Sequence, residues 1–459
     1  MSDEREHQGG IMSTVIDQDL EASGVASVIV VLKAPAGAAA AAASANDLSR
    51  YFTHSELSQE SAIAVAAQDR ATAARAPARK AISSRSRKRA EDTLAAAASL
   101  EHRPAVLQGF LPELEPLPPV RYYPNLGVAI GTVNTEGLAA LRADDQVADV
   151  VGTPRIGLIR PTQVRGAGLR STRTWGLGAL GVPDLWAEGL TGKGVQVAHL
   201  DTGVDGTHPG LRSAIGSFAQ FDLLGRQVVP DPQPFDTADH GTHTAGTIAG
   251  RPVDGRNFGV APGAKLASAI VIEGGQVVAR IVAGMDWAIG QGARVLSMSL
   301  GLRGWWDDFQ VLTRILRLQG VLPVFAIGNE GPGTSRSPGN YPEALSVGAV
   351  DRSGEVAWSS SSQRFDRADD ASVPDLAAPG VGVISAKPKG GFQSMNGTSM
   401  ATPHVAGLAA LLLEAKPSAT VDELENALLM SCGLEPGQSP DRVGRGLPNG
   451  PLALKILAP

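Results

Sequence analysis

The chain has 459 residues, 43% hydrophobic and 19% charged, with a net charge of −6. That length exceeds one ordinary core and asks for two domains, and the mild acidity argues against a dedicated nucleic-acid binder. A single cysteine, Cys432, excludes an intramolecular disulfide, so stability has to come from packing or a bound ion.

Residues 1–24 are polar and acidic and read as a flexible arm without the basic-then-apolar pattern of a secretory signal. No apolar run reaches membrane-spanning length. On this reading the protein is cytoplasmic; a chain lacking its signal would read the same and be secreted. ASVIVVLK, 26–33, is β-branched and reads as a strand. An Ala-rich stretch, about 38–99, predicts one or two helices separated at Pro77. It carries a basic cluster that includes Arg70, Arg79, Lys80, Arg87 and Lys88. A solvated helix face is the favoured reading of that cluster. A protease-sensitive loop comes second, and a nucleic-acid contact last, because no aromatic residues interleave the charges.

Residues 111–119 are Pro-rich and extended or turning. VRYYPNLGVAIGTVN reads as paired strands, TEGLAALRADD as a short helix with Thr135 as N-cap, and VADVVGTPRIGLIRP as a final strand. The order matches a small ferredoxin-like α+β unit over 25–161, with a helical insertion at about 38–110. Residues 162–174 lack periodicity and read as a linker to a second domain, 175–459. There VQVAHLD, KLASAIVI, RVLSMSL and VLPVFAI are short apolar strands alternating with helical patterns such as 277–293. The predicted fold class is α/β, a mostly parallel sheet flanked by helices. Sites in such sheets collect at the carboxyl ends of the strands.

Three segments meet that criterion. Asp201 ends a strand in HLDTGVDGTHPGL, His240 opens DHGTHTAGTIAG, and Ser399 precedes a long apolar helix in NGTSMATPHVAGLAALLLEA. A serine hydroxyl needs a base, which an imidazole supplies near neutral pH, and a buried carboxylate holds that ring in the right tautomer. Asn329, between Gly328 and Gly331, is a candidate oxyanion donor together with the Ser399 N–H.

These motifs, DTGVDGTHPGL, HGTHTAGT and GTSMATPHVAG in the order Asp, His, Ser, closely resemble the subtilisin-like serine peptidases over about 175–415. The resemblance implies a serine endopeptidase acting through an acyl-enzyme on protein or peptide substrates, with no cofactor in the chemistry. It implies that Ser299, Leu300 and Gly301 pair with substrate as an added strand. Ala326, Ile327 and Gly328 would line the other wall of the primary pocket, with Glu330 near its base, either accepting a basic side chain or solvated. It also implies that 25–161 is an inhibitory propeptide, the chain's own intramolecular partner, with autocleavage between Ile159 and Thr174. The insertion departs from the usual compact propeptide. Structural calcium is compatible with the family, yet no loop shows its ligand spacing; 366–370 is the acidic candidate, with a solvated loop preferred.

His208, His243 and His404 read as structural, and Cys432 as a buried small hydrophobe. Two rival functions stand beside the general peptidase. One is a permanently inhibited subtilase fold serving as a binding or scaffold protein. The other is a peptidase dedicated to one substrate. Neither nucleic acid nor membrane is an expected partner.

Overall fold

The structure, a computed structural model, describes residues 15–33, 120–153, 156–222, 225–229, 231–272, 277–367 and 371–458. The arm expected over 1–24 is helical where described: Val15–Ser23 forms α1, seated by Ile16, which is buried against β1 (Ala26–Leu32). β2 (Val120–Tyr123), β3 (Val128–Val133) and β4 (Val147–Gly152) complete a sheet of order β2-β3-β1-β4, antiparallel throughout. A split β-α-β unit gives its strands this order. The Ala-rich insertion and its basic cluster lie outside the described residues.

α2 (Thr135–Ala143) covers one face of that sheet with Leu138 and Leu141. Its N-cap is Asn134, not Thr135: Asn134 Oδ1 accepts the Gly137 N–H at 2.8 Å. An amide oxygen reaches the third helical N–H from the position before the helix, which Thr135, already helical, does not occupy.

The final strand expected over 147–161 breaks after β4; Gly157–Leu158 forms a separate β5. The expected linker 162–174 is partly a strand, β6 (Gln163–Ala167). It pairs antiparallel with β19 (Phe392–Asn396), from Gln163↔Asn396 to Ala167↔Phe392. Its side chains are mostly exposed, so the backbone ladder holds it and no apolar alternation announces it.

Two short helices, α3 (Trp175–Ala179) and α4 (Val182–Ala187), lead into the second domain. Its strands are β7 (Gln196–Asp201), β8 (Ile215–Gln220), β9 (Lys265–Ile270), β10 (Val295–Met298), β12 (Leu322–Ala326), β14 (Leu345–Val350) and β17 (Leu376–Pro379). They form one parallel sheet of order β17-β14-β12-β10-β7-β9-β8. Between them run α5 (His240–Ala249), α6 (Val278–Gly290) and α7 (Gln310–Leu318), as parallel neighbours require crossovers. Smaller pieces are β11 (Leu300–Arg303), β13 (Arg336–Ser337), the hairpin β15 (Gln363–Arg364) and β16 (Ser372–Val373), and β18 (Val383–Ala386). α8 (Thr398–Ala415) and α9 (Val421–Met430) close the domain.

Strand alternation divides the core between the two faces. Val197, Val295 and Val324 pack with Val405 and Leu408 of α8. Leu200, Met298 and Phe325 pack with Ile281 and Met285 of α6 and Leu312 of α7. Ile29 and Val128 of the N-terminal sheet join this second cluster, so that sheet rests on α6 and α7. β7 ends at Asp201, β10 stops just before Ser299, and β12 ends three residues before Asn329.

Candidate active site

Asp201 leaves β7 with its carboxylate buried. His240 Nδ1 lies 2.8 Å from Oδ1 and 2.9 Å from Oδ2, and the Thr202 N–H donates to Oδ1 at 2.7 Å. Burial opposes the charge, but the imidazole and the N–H donor outweigh it and hold the carboxyl below its ordinary value.

His240 is the first residue of α5, and Asp236 fixes where that helix begins. Asp236 accepts from Thr202 Oγ1 at 2.7 Å, from the Thr242 N–H and hydroxyl at 2.6 Å each, and from the Ala238 N–H at 3.0 Å. Thr202 Oγ1 in turn accepts the Gly241 N–H at 2.9 Å. A Cβ at position 241 would lie 2.0 Å from Gly203 O, so only glycine lets the helix start meet the end of β7 this closely.

Ser399 is the second residue of α8 and fully buried. Its hydroxyl donates to Ile159 O at 2.7 Å. His240 Nε2 is buried and makes no hydrogen bond. The structure therefore joins Asp201 to His240, while the Ser399 proton is engaged by the chain's own backbone. Asn329 is oriented by Thr398, whose N–H donates to Oδ1 at 2.9 Å and whose hydroxyl lies 3.1 Å from it. Nδ2 is thereby turned to Arg160 O, at 2.9 Å. Gly397, at φ +148°, permits this approach: a Cβ there would sit 2.8 Å from Asn329 Nδ2.

The segment ending in Ile159 and Arg160 lies across the site as an extra strand. Leu158 pairs with Leu300 and Gly157 with Gly301, antiparallel, and the Ile159 N–H donates to Ser299 O at 3.0 Å. Ile159 is fully buried. On the opposite side Ala326 and Ile327 are buried, with the Ile327 N–H donating to Val347 O, and Gly328 hydrogen-bonds Thr398.

Glu330 is neither solvated nor free for a basic substrate side chain. Arg336 Nη2 lies 2.6 Å from Glu330 Oε1, and Arg336 Nη1 donates to Gly301 O at 2.8 Å. A Cβ at Gly328 would meet Glu330 Oε2 at 2.8 Å and Arg336 Cγ at 3.3 Å. The ion pair thus lies between Gly301 and Gly328. Burial opposes the Glu330 charge, but Arg336 and Arg303 win and hold its pKa low.

Three further histidines among the described residues are tied to structure. His208 bridges Gly391 O and the Gly210 N–H; His243 donates to Val383 O and His404 to Met400 O. Burial pushes His243 down to about 3 and His404 to about 4, so both stay neutral. Cys432 is half-buried, its thiol bonded to Leu428 O and pushed up to about 12 by burial. Among the described residues no three metal-ligating side chains gather; 368–370 of the acidic segment lie outside them. No helix among the described residues is long and apolar enough to cross a membrane.

A second Ser–His–Asp grouping lies beneath the first. His199 Nδ1 is 2.9 Å from Ser268 Oγ, and His199 Nε2 is 3.8 Å from Asp201 Oδ2. Ser268 lies inside β9 with its hydroxyl on His199, whereas the hydroxyl that meets the 157–160 segment is that of Ser399. Sequence reasoning missed His199, Asp236, Arg336 and Thr398. A polar residue inside the apolar run VQVAHLD was the available signal for His199.

Residues 192–446 match the profile of the Subtilase family. Subtilisin Savinase of Lederbergia lenta is 39% identical over 256 residues, 55% of this chain and 89% of that protein. M-protease of Shouchella clausii (strain KSM-K16) is 39% identical over the same length, there 63% of the relative. Subtilisin E of Bacillus subtilis (strain 168) is 36% identical over 261 residues, 64% of its length.

Proposed function

The chain belongs to the subtilase family and is a serine endopeptidase, and from that premise we propose that Asp201, His240 and Ser399 are its triad and Asn329 its oxyanion donor. Ser399 Oγ attacks the carbonyl carbon of the residue whose N–H is held by Ser299 O. His240 Nε2, the ring nitrogen not engaged by Asp201, takes the hydroxyl proton and delivers it to the departing amine. Water then adds to the acyl-enzyme through the same base. Substrates are extended, accessible peptide segments, because strand addition at Ser299–Gly301 needs a free backbone.

We propose further that the N-terminal unit is the chain's own inhibitor and first substrate. One observation carries this: Ile159 O lies on the Ser399 hydroxyl and Arg160 O on the Asn329 amide. Acyl transfer needs attacking oxygen and oxyanion donor to converge on a single carbonyl. Here they hold successive ones. Cutting Ile159–Arg160 requires the Ile159 carbonyl to swing to Asn329. Cutting Arg160–Pro161 requires the Arg160 carbonyl carbon to come over Ser399, with a proline nitrogen leaving. This split geometry also favours the rival in which the cleft stays blocked and the protein serves as a scaffold.

Intact mass of the full chain beside Ser399→Ala separates them. Loss from the parent alone of an N-terminal piece ending at Ile159 or Arg160 is the expected result. An uncut parent that a serine-directed fluorophosphonate also leaves unlabelled would refute the peptidase assignment of this site and leave the scaffold.

A further inference from the structure

Behind the triad carboxylate runs a second, fully buried row of polar groups: Ser268 on β9, His199 on β7 and Thr244 on α5. His199 Nε2 is 2.8 Å from Thr244 Oγ1, and Thr244 Oγ1 is 3.2 Å from Asp201 Oδ2. With Nε2 only 3.8 Å from Oδ2, a lone pair on that nitrogen would face the carboxylate. The favoured tautomer therefore carries its hydrogen on Nε2, and the direction of the whole row follows. Ser268 O–H donates to Nδ1 and Nε2–H donates to Thr244 Oγ1; the one Thr244 hydroxyl hydrogen then has Oδ2 at 3.2 Å and the carbonyls of His240 and Gly241 at 3.1 Å as acceptors, and the charged carboxylate is the stronger of them. An apolar pair would fill this space without the desolvation that burying three polar side chains entails.

We propose that His199 is a positioning residue: through Thr244 it keeps a hydrogen bond on Oδ2 of Asp201 and so tempers the pull of that carboxylate on the His240 proton. The inference rests on the triad reading above. A carboxylate that accepts one more hydrogen bond carries less charge toward its other partner. His199 itself, pushed to about 4 by burial, stays neutral where peptidases work and acts through its N–H dipole. The other titratable groups around His240 are Asp201 on β7, Asp236 through Thr202, and His243 on α5 with His404 behind it on α8. None of these is altered by the substitutions below.

The test uses the full-length Ser399→Ala protein, which keeps the chain whole, and reads the far-downfield proton resonance of the Nδ1–H between His240 and Asp201 as a function of pH. Loss of the signal in His240→Gln assigns it. His199→Val is expected to move its midpoint upward by about half a unit, a roughly threefold change in the protonation equilibrium. Thr244→Val should give the same shift and the double variant no more, while His199→Gln, whose amide can replace Nε2–H, should restore the parent value. A midpoint unmoved in both valine variants overturns the relay; if His199→Val does not fold, Thr244→Val decides alone. Failure of the triad reading shows separately: a parent chain that neither self-cleaves nor labels, with a midpoint that still shifts, sinks that reading and not the relay.

Discussion

Asn329→Ala removes two functions with separable sizes. Nδ2, which now donates to Arg160 O, disappears; on the proposed assignment it is an oxyanion donor, worth about 10²–10³ in rate, roughly 2.7–4 kcal/mol. Oδ1 disappears as well, which leaves the Thr398 N–H without its acceptor at a fully buried helix start; that costs about 1–3 kcal/mol of stability. Asn329→Asp separates the effects. A carboxylate keeps an acceptor for Thr398 but offers no donor, and it sets negative charge where negative charge must form. The aspartate variant should therefore lose at least as much rate as the alanine variant while melting closer to the parent. The assay is the first-order disappearance of intact chain by mass spectrometry, with calorimetry on the same samples. Self-cleavage of either variant within about threefold of the parent would refute the assignment of Asn329.

If Glu330 lies at the base of the primary pocket, as the family resemblance implies, Arg336→Ala leaves it with only the exposed Arg303 at 3.5 Å. The ratio of kcat/KM for peptides with Lys or Arg before the cut over those with Leu should rise by about 10–100-fold, and an unchanged ratio would mean the pair lies outside the pocket. Docking of the N-terminal sheet should depend on pH through Asp286, which accepts the Asn125 and Leu126 N–H groups at 2.7 and 3.1 Å, and Asp308, which accepts the Gly152 N–H at 3.0 Å. Burial raises both carboxyls above their ordinary value, so the docked state binds more protons than the free one. Docking is then strongest below the free pKa, weakens as pH rises toward the docked pKa, and is flat above it. In the Ser399→Ala protein, opening of 120–152 by hydrogen exchange should cost more free energy at about pH 4.5 than at about pH 7, and Asp286→Asn should reduce the difference; equal protection at both values would refute it.

The centre of the parallel sheet was legible because β7, β9, β10 and β12 are buried on both faces and so read as apolar runs; β8, IGSFAQ, is only half buried and gave no such run, and β14 and β17 were not read either. Asp201, His240, Ser399 and Asn329 could be named as candidates because they stand at strand ends and helix starts within motifs that resemble the family's; the structure adds why glycines flank them, since Gly241 and Gly397 admit contacts that no Cβ allows. Arg336 was not legible. Its partner Glu330 lies six residues back, but the meeting depends on a return path through β13 beside β11 that no local pattern encodes. β6 escaped notice because a ladder uses N–H and C=O groups that every residue carries, and its side chains face solvent. The Asn134 cap was missed by one position because Asn134 and Thr135, both N-cap formers, stand side by side and only the backbone decides which of them precedes the helix.

The strand β6 matters for what the proposed self-cleavage would accomplish. In the intact chain the blocking segment is held at both ends, by β4 and its sheet resting on α6 and α7, and by β6 on β19. Tethered at two points, Gly157–Arg160 occupies the cleft at a high effective concentration, which a free peptide must outcompete. On the proposal, a cut at Ile159–Arg160 or Arg160–Pro161 would gain no new contact; it would divide the anchorage. The β6 side stays in the peptidase domain by its own ladder, while the N-terminal side depends on its apolar contacts, on the short pairing at Leu300 and Gly301, and on Asp286 and Asp308. Release would then be governed in part at a surface removed from the chemistry, where Asp286 and Asp308 hold the N-terminal sheet. Substitutions at Asp286 should change the lifetime of the blocked state after cleavage without changing the rate of the cut itself.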